Sequence, residues 1–297
     1  MPSHLLTGEE FSTSEILTLL ELGHVLKKDR GAYKTSLVGM QLALLFEKPS
    51  LRTRFSFTVA MRELGGDVIE SSSQSSKFEE PEDTARVLAG YCAGIMLRTH
   101  DDSNLERMSK VSSIPIINGL SADHHPCQIF ADLMTLQERF GNLAGLKLCY
   151  IGDSNNILHS FLLLAPRLGV EVHFATPAHR SPPAKIRERC DLSKIFYHSS
   201  PESAVRNAHA VYTDVWTSMG FESQVDESVF ADYQVSEELF NKAQQNAVFM
   251  HCMPMLRGRE LSETLPEHPR SVIFDQSENR LHVQKALLIK LLKGKMS

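Results

Sequence analysis

No apolar run in this 297-residue chain approaches the roughly 20 residues that a membrane-spanning helix needs. The five cysteines, at 92, 127, 149, 190 and 252, are odd in number and form no Cys-x-x-Cys pair. That argues against a disulfide framework or a zinc knuckle and fits reduced thiols in the cytoplasm. The start, MPSHLLTGEEFS, has the features of neither a signal peptide nor an Arg-rich transit peptide, so a cytoplasmic location is expected. Neither charge sign dominates: the net charge is −5 and the pI near 6.2, which excludes a general nucleic-acid or polyanion binder. Any anion site must therefore be local. The phosphate fingerprint GxxxxGK[ST] and the dinucleotide fingerprint GxGxxG are both missing.

The composition that remains is globular, 42 % apolar and 23 % charged, and the length suggests about two domains. Ser12-x-x-Glu15 reads as a capping box opening a helix. Short apolar runs at 41–46, 67–70, 93–97 and 114–117 predict buried strands, with helices at 52–64 and 83–91 between them and Gly65-Gly66 stopping the first helix. A helical stretch over 127–140 leads to further strands at 147–151, 170–175, 210–215, 247–251 and 271–274, and 281–292 predicts a terminal helix. The alternation predicts an α/β fold of two domains, each a parallel sheet flanked by helices, hinged near 134–142. No internal repeat is present, and only the Ser-rich stretch 71–76 is of low complexity.

Ligands of open parallel sheets gather beyond the carboxyl ends of the strands. Polar residues recur at those ends: PSLRTR after 41–46, SSSQSSK after 67–70, Arg98 after 93–97, NGLSADHHPCQ after 114–117, GDSNN after 147–151, Asp214 near the end of 210–215, and CMP after 247–251. PSLRTR places Arg52 and Arg54 in the first turn of a helix, where the dipole disfavours cations. A bound anion, held by guanidinium, hydroxyl and backbone N–H groups, would resolve the conflict. At His124-His125-Pro126-Cys127-Gln128, adjacent histidines point poorly at one metal ion, and a neutral histidine and a glutamine donating to a carbonyl oxygen is the better reading. Cys252 has no evident Cys-His-Asn triad, so it is not read as a covalent nucleophile. The one tryptophan, Trp216, beside Ser218-Met219-Gly220, suggests a loop of fixed conformation or a hinge.

Taken together these motifs resemble the aspartate/ornithine carbamoyltransferase family over essentially the whole chain. Ser50-Leu51-Arg52-Thr53-Arg54 is similar to the family's S-T-R-T-R motif, with Leu51 departing at the second place, and His125-Pro126-Cys127-Gln128 matches H-P-x-Q. Asp214-Val215-Trp216-Thr217-Ser218-Met219-Gly220 and His251-Cys252-Met253-Pro254 resemble D-x-W-x-S-M-G and H-C-L-P of the ornithine-type members, as does the FDQSENRLHVQKALL ending with Arg280.

The resemblance implies transfer of a carbamoyl group from carbamoyl phosphate to the δ-amine of L-ornithine, giving citrulline and phosphate through a tetrahedral intermediate. An N-acylated ornithine is the alternative acceptor, citrulline phosphorolysis the alternative direction, and a relative without turnover the alternative class. It implies a carbamoyl phosphate-binding domain over 1–136, with a C-terminal helix, 281–297, packing back on it, and an ornithine-binding domain over 137–280. By the same resemblance, Ser50, Leu51 (through its backbone), Arg52 and Thr53 hold phosphate, and Gln74 reaches a neighbouring subunit's site. Arg98, His125 and Thr53 face the carbamoyl oxygen. Gln128, the backbone at Cys252 and Met253, and Arg280 hold the carbamoyl end. Asn156, Asp214, Ser218 and Met219 bind ornithine, and Cys252 and Asp214 orient its δ-amine. Arg98, His125, Asp214 and Cys252 are the implied catalytic set. No cofactor or metal is implied; a homotrimer or a multiple of trimers is, and neither nucleic acid nor membrane is a partner.

Overall fold

The computed structural model describes residues 3–47, 49–72, 79–217 and 226–294. The chain divides into two compact units, 1–134 with 278–297, and 135–277. Among the described residues no helix is long and apolar enough to cross a membrane.

The first unit opens with α1 (Thr13–Lys28), then alternates β1 (Gln41–Phe46), α2 (Leu51–Glu63), β2 (Asp67–Ser72), α3 (Pro81–Ala89), β3 (Gly94–Arg98), α4 (Asp102–Val111) and β4 (Ile116–Leu120) before α5 (Pro126–Phe140). The Ser12 capping box forms: the Glu15 N–H donates to Ser12 Oγ at 3.2 Å, and the Ser12 N–H to Glu15 Oε2 at 2.8 Å. The strands are parallel in the order β2-β1-β3-β4. β3 is buried along its whole length, which explains why such strands read as continuous apolar runs. Ala43, Ile95, Leu97 and Ile116 of the sheet pack with Ala85 of α3 and with Leu105 and Met108 of α4. After α2, Gly65 takes φ +88°, and a Cβ there would lie 2.6 Å from the Lys34 carbonyl oxygen, so glycine is required where this helix stops.

The second unit carries β5 (Lys147–Ile151), α6 (Asn156–Leu164), β6 (Glu171–Ala175), α7 (Ala184–Arg187), β7 (Ile195–Tyr197), α8 (Pro201–Val205), β8 (Ala210–Thr213), α9 (Glu237–Phe240) and β9 (Val248–His251). Its sheet is parallel in the order β7-β6-β5-β8-β9. Ile151, Val211 and Phe249 form its core with Val235, Leu261 and Ile273.

The expected strand at 271–274 is absent. Ser271 makes one isolated bridge to Phe249, and the chain then enters α10 (Ile273–Lys293), eight residues earlier than the predicted terminal helix. The β-branched pair Val272-Ile273 is buried by packing, Phe274 is 55 % exposed, and the Gln276 N–H already bonds to the Val272 carbonyl in helical fashion. The C-terminal part of α10, from Glu278, belongs to the first unit.

In both sheets the chain direction of winding reverses next to the first strand of the unit, between β1 and β3 and between β5 and β8. A crevice outside the carboxyl ends forms at such a reversal. PSLRTR and Arg98 flank the first reversal; Gly152–Asn155 and Asp214 flank the second.

Candidate functional site

Ser50 is the N-cap of α2, its Oγ accepting from the Thr53 N–H at 3.3 Å. Arg98, the last residue of β3, donates from Nη1 to the same Oγ at 3.3 Å. Glu47 ties the strand ends together: its N–H bonds to the Arg98 carbonyl at 2.9 Å, and its Oε2 accepts from Thr99 Oγ1 at 2.6 Å. Thr53 is fully buried, and its Oγ1 accepts from Arg280 Nη2 at 2.9 Å. Arg280 Nη1 donates to Gln128 Oε1 at 3.1 Å, and Gln128 Nε2 donates to Asp132 Oδ1 at 2.8 Å, which fixes the orientation of that amide. Ser50, Thr53, Arg98, Gln128 and Arg280 thus form one connected group. Leu51 is exposed. Arg54 departs from the group: it pairs with Glu70 at 2.7 Å and lies over the Phe46 ring. Of the two first-turn arginines, Arg54 is thus held by Glu70 on the sheet.

His125 precedes Pro126 at the start of α5 and is 4 % exposed. Burial, followed by the guanidiniums of Arg280, Arg98 and Arg52, holds its imidazole well below the usual histidine range. The ring is therefore neutral at physiological pH, among three cations. With the first-turn N–H groups of α2, this is a region that attracts a polyanion and can donate to an oxygen that gains charge.

The second unit builds the opposite arrangement. Asp214 lies just past β8 and is 6 % exposed. Its Oδ1 accepts from the Val215 N–H at 2.9 Å and from the Cys252 thiol at 3.0 Å, and its Oδ2 from Asn155 Nδ2 at 2.7 Å. Burial raises its pKa; His251, Cys252, Val215 and Asn155 oppose the rise. Gly152, at φ +137°, carries the chain from β5 past Asp214, where a Cβ would come within 3.7 Å of the Asp214 carbonyl oxygen.

Cys252 follows β9 and is half-buried, whereas burial pushes the Cys127 and Cys149 thiols up to about 12. Met253 has φ +57°, and its N–H donates to His251 Nδ1 at 2.8 Å. His251 Nε2 therefore carries the proton and faces Glu260 Oε1 at 3.2 Å. Asp214, His251 and Cys252 bring one potential ligand atom each within 4.8 Å of one another. Both His251 nitrogens are engaged, so a metal ion would have to displace one of those bonds.

Asn156 is the first residue of α6, and its carbonyl accepts from Ser160 Oγ at 2.7 Å. The sequence reading missed its neighbour Asn155, the N-cap of α6 and the direct partner of Asp214. The available signal was positional: an Asn immediately before the apolar run ILHSFLLL fits the N-cap preference. Trp216 stacks on Phe230 at 5.4 Å. Gln74, Ser218 and Met219 lie outside the described residues.

Residues 3–138 match the family description "aspartate/ornithine carbamoyltransferase, carbamoyl-P binding domain", and residues 144–291 match its "Asp/Orn binding domain". A curated relative from Gloeobacter violaceus named ornithine carbamoyltransferase is 42 % identical over 302 residues, covering 98 % of this chain and 96 % of the relative. The solved ornithine carbamoyltransferase of Thermus thermophilus is similar at TM-score 0.91 and 40 % identity, over 98 % of this chain and 99 % of that one. The Pyrococcus furiosus enzyme of the same name is similar at TM-score 0.94 and 38 % identity, over 100 % and 98 %.

Proposed function

The chain belongs to the aspartate/ornithine carbamoyltransferase family, and from that premise we propose that it transfers the carbamoyl group of carbamoyl phosphate to the δ-amine of L-ornithine, releasing citrulline and phosphate. The observation that carries the choice of acceptor is Asp214. It is a buried carboxylate whose described hydrogen-bond partners, Val215, Cys252 and Asn155, are all neutral donors. A buried charge is costly without a counter-charge, and the α-ammonium of ornithine supplies one. An N-acylated ornithine carries no such cation, and aspartate has no δ-amine.

On this reading Ser50, Arg52, Thr53 and the α2 N–H groups take the phosphate, and Leu51 contributes its backbone alone. Arg98, neutral His125 and the Thr53 hydroxyl, whose oxygen already accepts from Arg280, donate to the carbamoyl oxygen as it becomes an oxyanion. Gln128, Arg280 and the main chain at Cys252 and Met253 hold the carbamoyl nitrogen end. Since the Met253 N–H is already bonded to His251, that main chain offers carbonyl acceptors, which suit an NH2 group. Asn156 and Asp214 bind ornithine's α-groups, and Ser218 and Met219 are further ornithine-binding residues on this reading. The neutral δ-amine attacks the carbamoyl carbon, and the tetrahedral intermediate collapses as its C–O bond to phosphate breaks, the departing phosphate taking the proton that the attacking nitrogen loses. The chain's own groups supply every role, so the proposal needs no cofactor.

We propose a homotrimer in the cytoplasm, with Gln74 completing a neighbour's phosphate site. Sedimentation at three times the 33.3 kDa chain mass is expected, and a monomer would refute the trimer.

The test of function is citrulline production with carbamoyl phosphate saturating and the acceptor varied. Turnover with ornithine and almost none with aspartate or N-acetylornithine is expected. Comparable kcat/KM for any two of these would sink the assignment.

A further inference from the structure

Asn155 sits where three separate demands meet. It caps α6, its Oδ1 accepting from the Ile157 N–H at 3.0 Å and the Leu158 N–H at 3.3 Å. The same oxygen accepts from the Tyr150 hydroxyl at 3.1 Å. Three donors on one oxygen leave a single choice for the amide: its NH2 must turn the other way, and there it donates to Asp214 Oδ2 at 2.7 Å. Tyr150 stands on β5 and is fully buried, so its ring cannot swing away, and its hydroxyl proton has its acceptor in Asn155. Direction runs one way along the chain, from Tyr150 O–H to Asn155 to Asp214.

We infer that Asn155 is a positioning residue for the acceptor amino acid, acting through Asp214 rather than by touching the substrate. The inference rests on the assignment of Asp214 to ornithine's α-ammonium. Of the three groups that hold Asp214, the Val215 N–H is a backbone donor beside it in the chain, and the Cys252 thiol is a weak donor. Both bind Oδ1. Asn155 alone among the described residues fixes Oδ2, and so sets the carboxylate's rotation and which lone pairs remain for a ligand. It also stabilises the ionised form of a carboxylate that burial pushes towards protonation. Tyr150 acts one bond further back, by holding the amide in the orientation that donates. The helix cap and the substrate site thus share a single side chain, and a substitution can separate them.

Serine is a good N-cap but is too short to reach Asp214 from the cap position, so Asn155→Ser keeps the helix start and removes the donor. Tyr150→Phe keeps the buried ring and removes the hydroxyl. The measurement is KM for ornithine and for carbamoyl phosphate, separately, with a melting curve for each protein. For Asn155→Ser, KM for ornithine is expected to rise about 10- to 100-fold, the size of one lost hydrogen bond to a charged group. KM for carbamoyl phosphate should stay within about twofold, because that substrate's contacts are untouched. Tyr150→Phe should show the same asymmetry at about 2- to 10-fold, as a neutral hydrogen bond one step removed. An unchanged ornithine KM in a folded Asn155→Ser protein, or a parallel rise for both substrates, would overturn the inference. If the serine variant does not fold, Tyr150→Phe decides by the same asymmetry. Failure of the functional reading would look different, because the parent protein would then make no citrulline.

Discussion

In the first unit three guanidiniums act on a neutral imidazole; in the second, a single buried carboxylate is held by donors that carry no charge. The two arrangements are opposite in sign. The first gathers guanidiniums around His125 near a helix N-terminus, a setting that favours an anion. The second has a desolvated carboxylate whose described hydrogen-bond partners are all neutral, a setting that favours an ammonium. Strand topology places both at a reversal in their own sheet, so topology alone cannot tell them apart. On the proposed function, the side chains there separate a site for a phosphate ester from a site for an amino acid.

The comparison breaks most severely if the cations of the first unit are dispensable. Arg98→Ala should lower kcat by about a hundred- to a thousand-fold, as expected on removing a donor from a developing oxyanion. Its melting curve should be close to the parent's. A loss below about tenfold would mean that the guanidinium does not face the reacting oxygen. The expected effect at the second unit is smaller. Cys252→Ala should raise KM for ornithine about 3- to 10-fold, through loss of the thiol that donates to Asp214, without abolishing turnover. In the parent, kcat/KM for ornithine should rise across the neutral range and level off in alkali. The δ-amine has a lysine-like pKa of about 10.4, and only its neutral form can attack. A flat profile would contradict amine selection, and a trapped carbamoyl-cysteine would replace direct attack with covalent catalysis.

How much of this was legible beforehand depended on whether the signal was local. The Ser12 capping box, the strand runs and the Gly65 stop are local, and they could be read because a few adjacent residues determine them. PSLRTR stood out because two cations occupied a helix start, yet the pattern could not separate Arg52 from Arg54. The partner that removes Arg54, Glu70, is on β2 and is set by register, not by neighbouring residues. The pair Asn155-Asn156 posed the same difficulty: two identical side chains, of which the cap residue Asn155 is the one that bonds to Asp214. Val272-Ile273 read as strand because β-branched residues favour strands, and tertiary packing made it the entry to α10. The first-unit network of Thr53, Gln128 and Arg280 spans most of the chain, and only the motif resemblance pointed to it.

The smallest expected effect concerns stability. His125 has a folded pKa below its ordinary 6.5, so the unfolded chain binds a proton that the folded protein excludes. Its contribution is present above about pH 6.5 and is lost as pH falls. Other buried imidazoles, such as His173 at about 4, act in the same direction. The melting temperature should therefore drop on acidification below about pH 6.5, and His125→Gln should make that drop shallower by a few degrees. Identical slopes for parent and variant would mean that His125 is not held neutral.

The central claim, that Asp214 exists to meet the α-ammonium of the acceptor, is tested most directly by a cycle of two enzymes and two acceptors. The parent and Asp214→Asn would each be assayed with ornithine and with 5-aminopentanoate, which lacks only the α-amino group, at saturating carbamoyl phosphate. The parent should prefer ornithine by about 30-fold or more in kcat/KM, the scale for a buried, hydrogen-bonded charge pair. In Asp214→Asn that preference should shrink to within about threefold. If both proteins kept the same preference, Asp214 would not be the partner of the α-ammonium, and the opposition of charge between the two units would have no bearing on which acceptor is used.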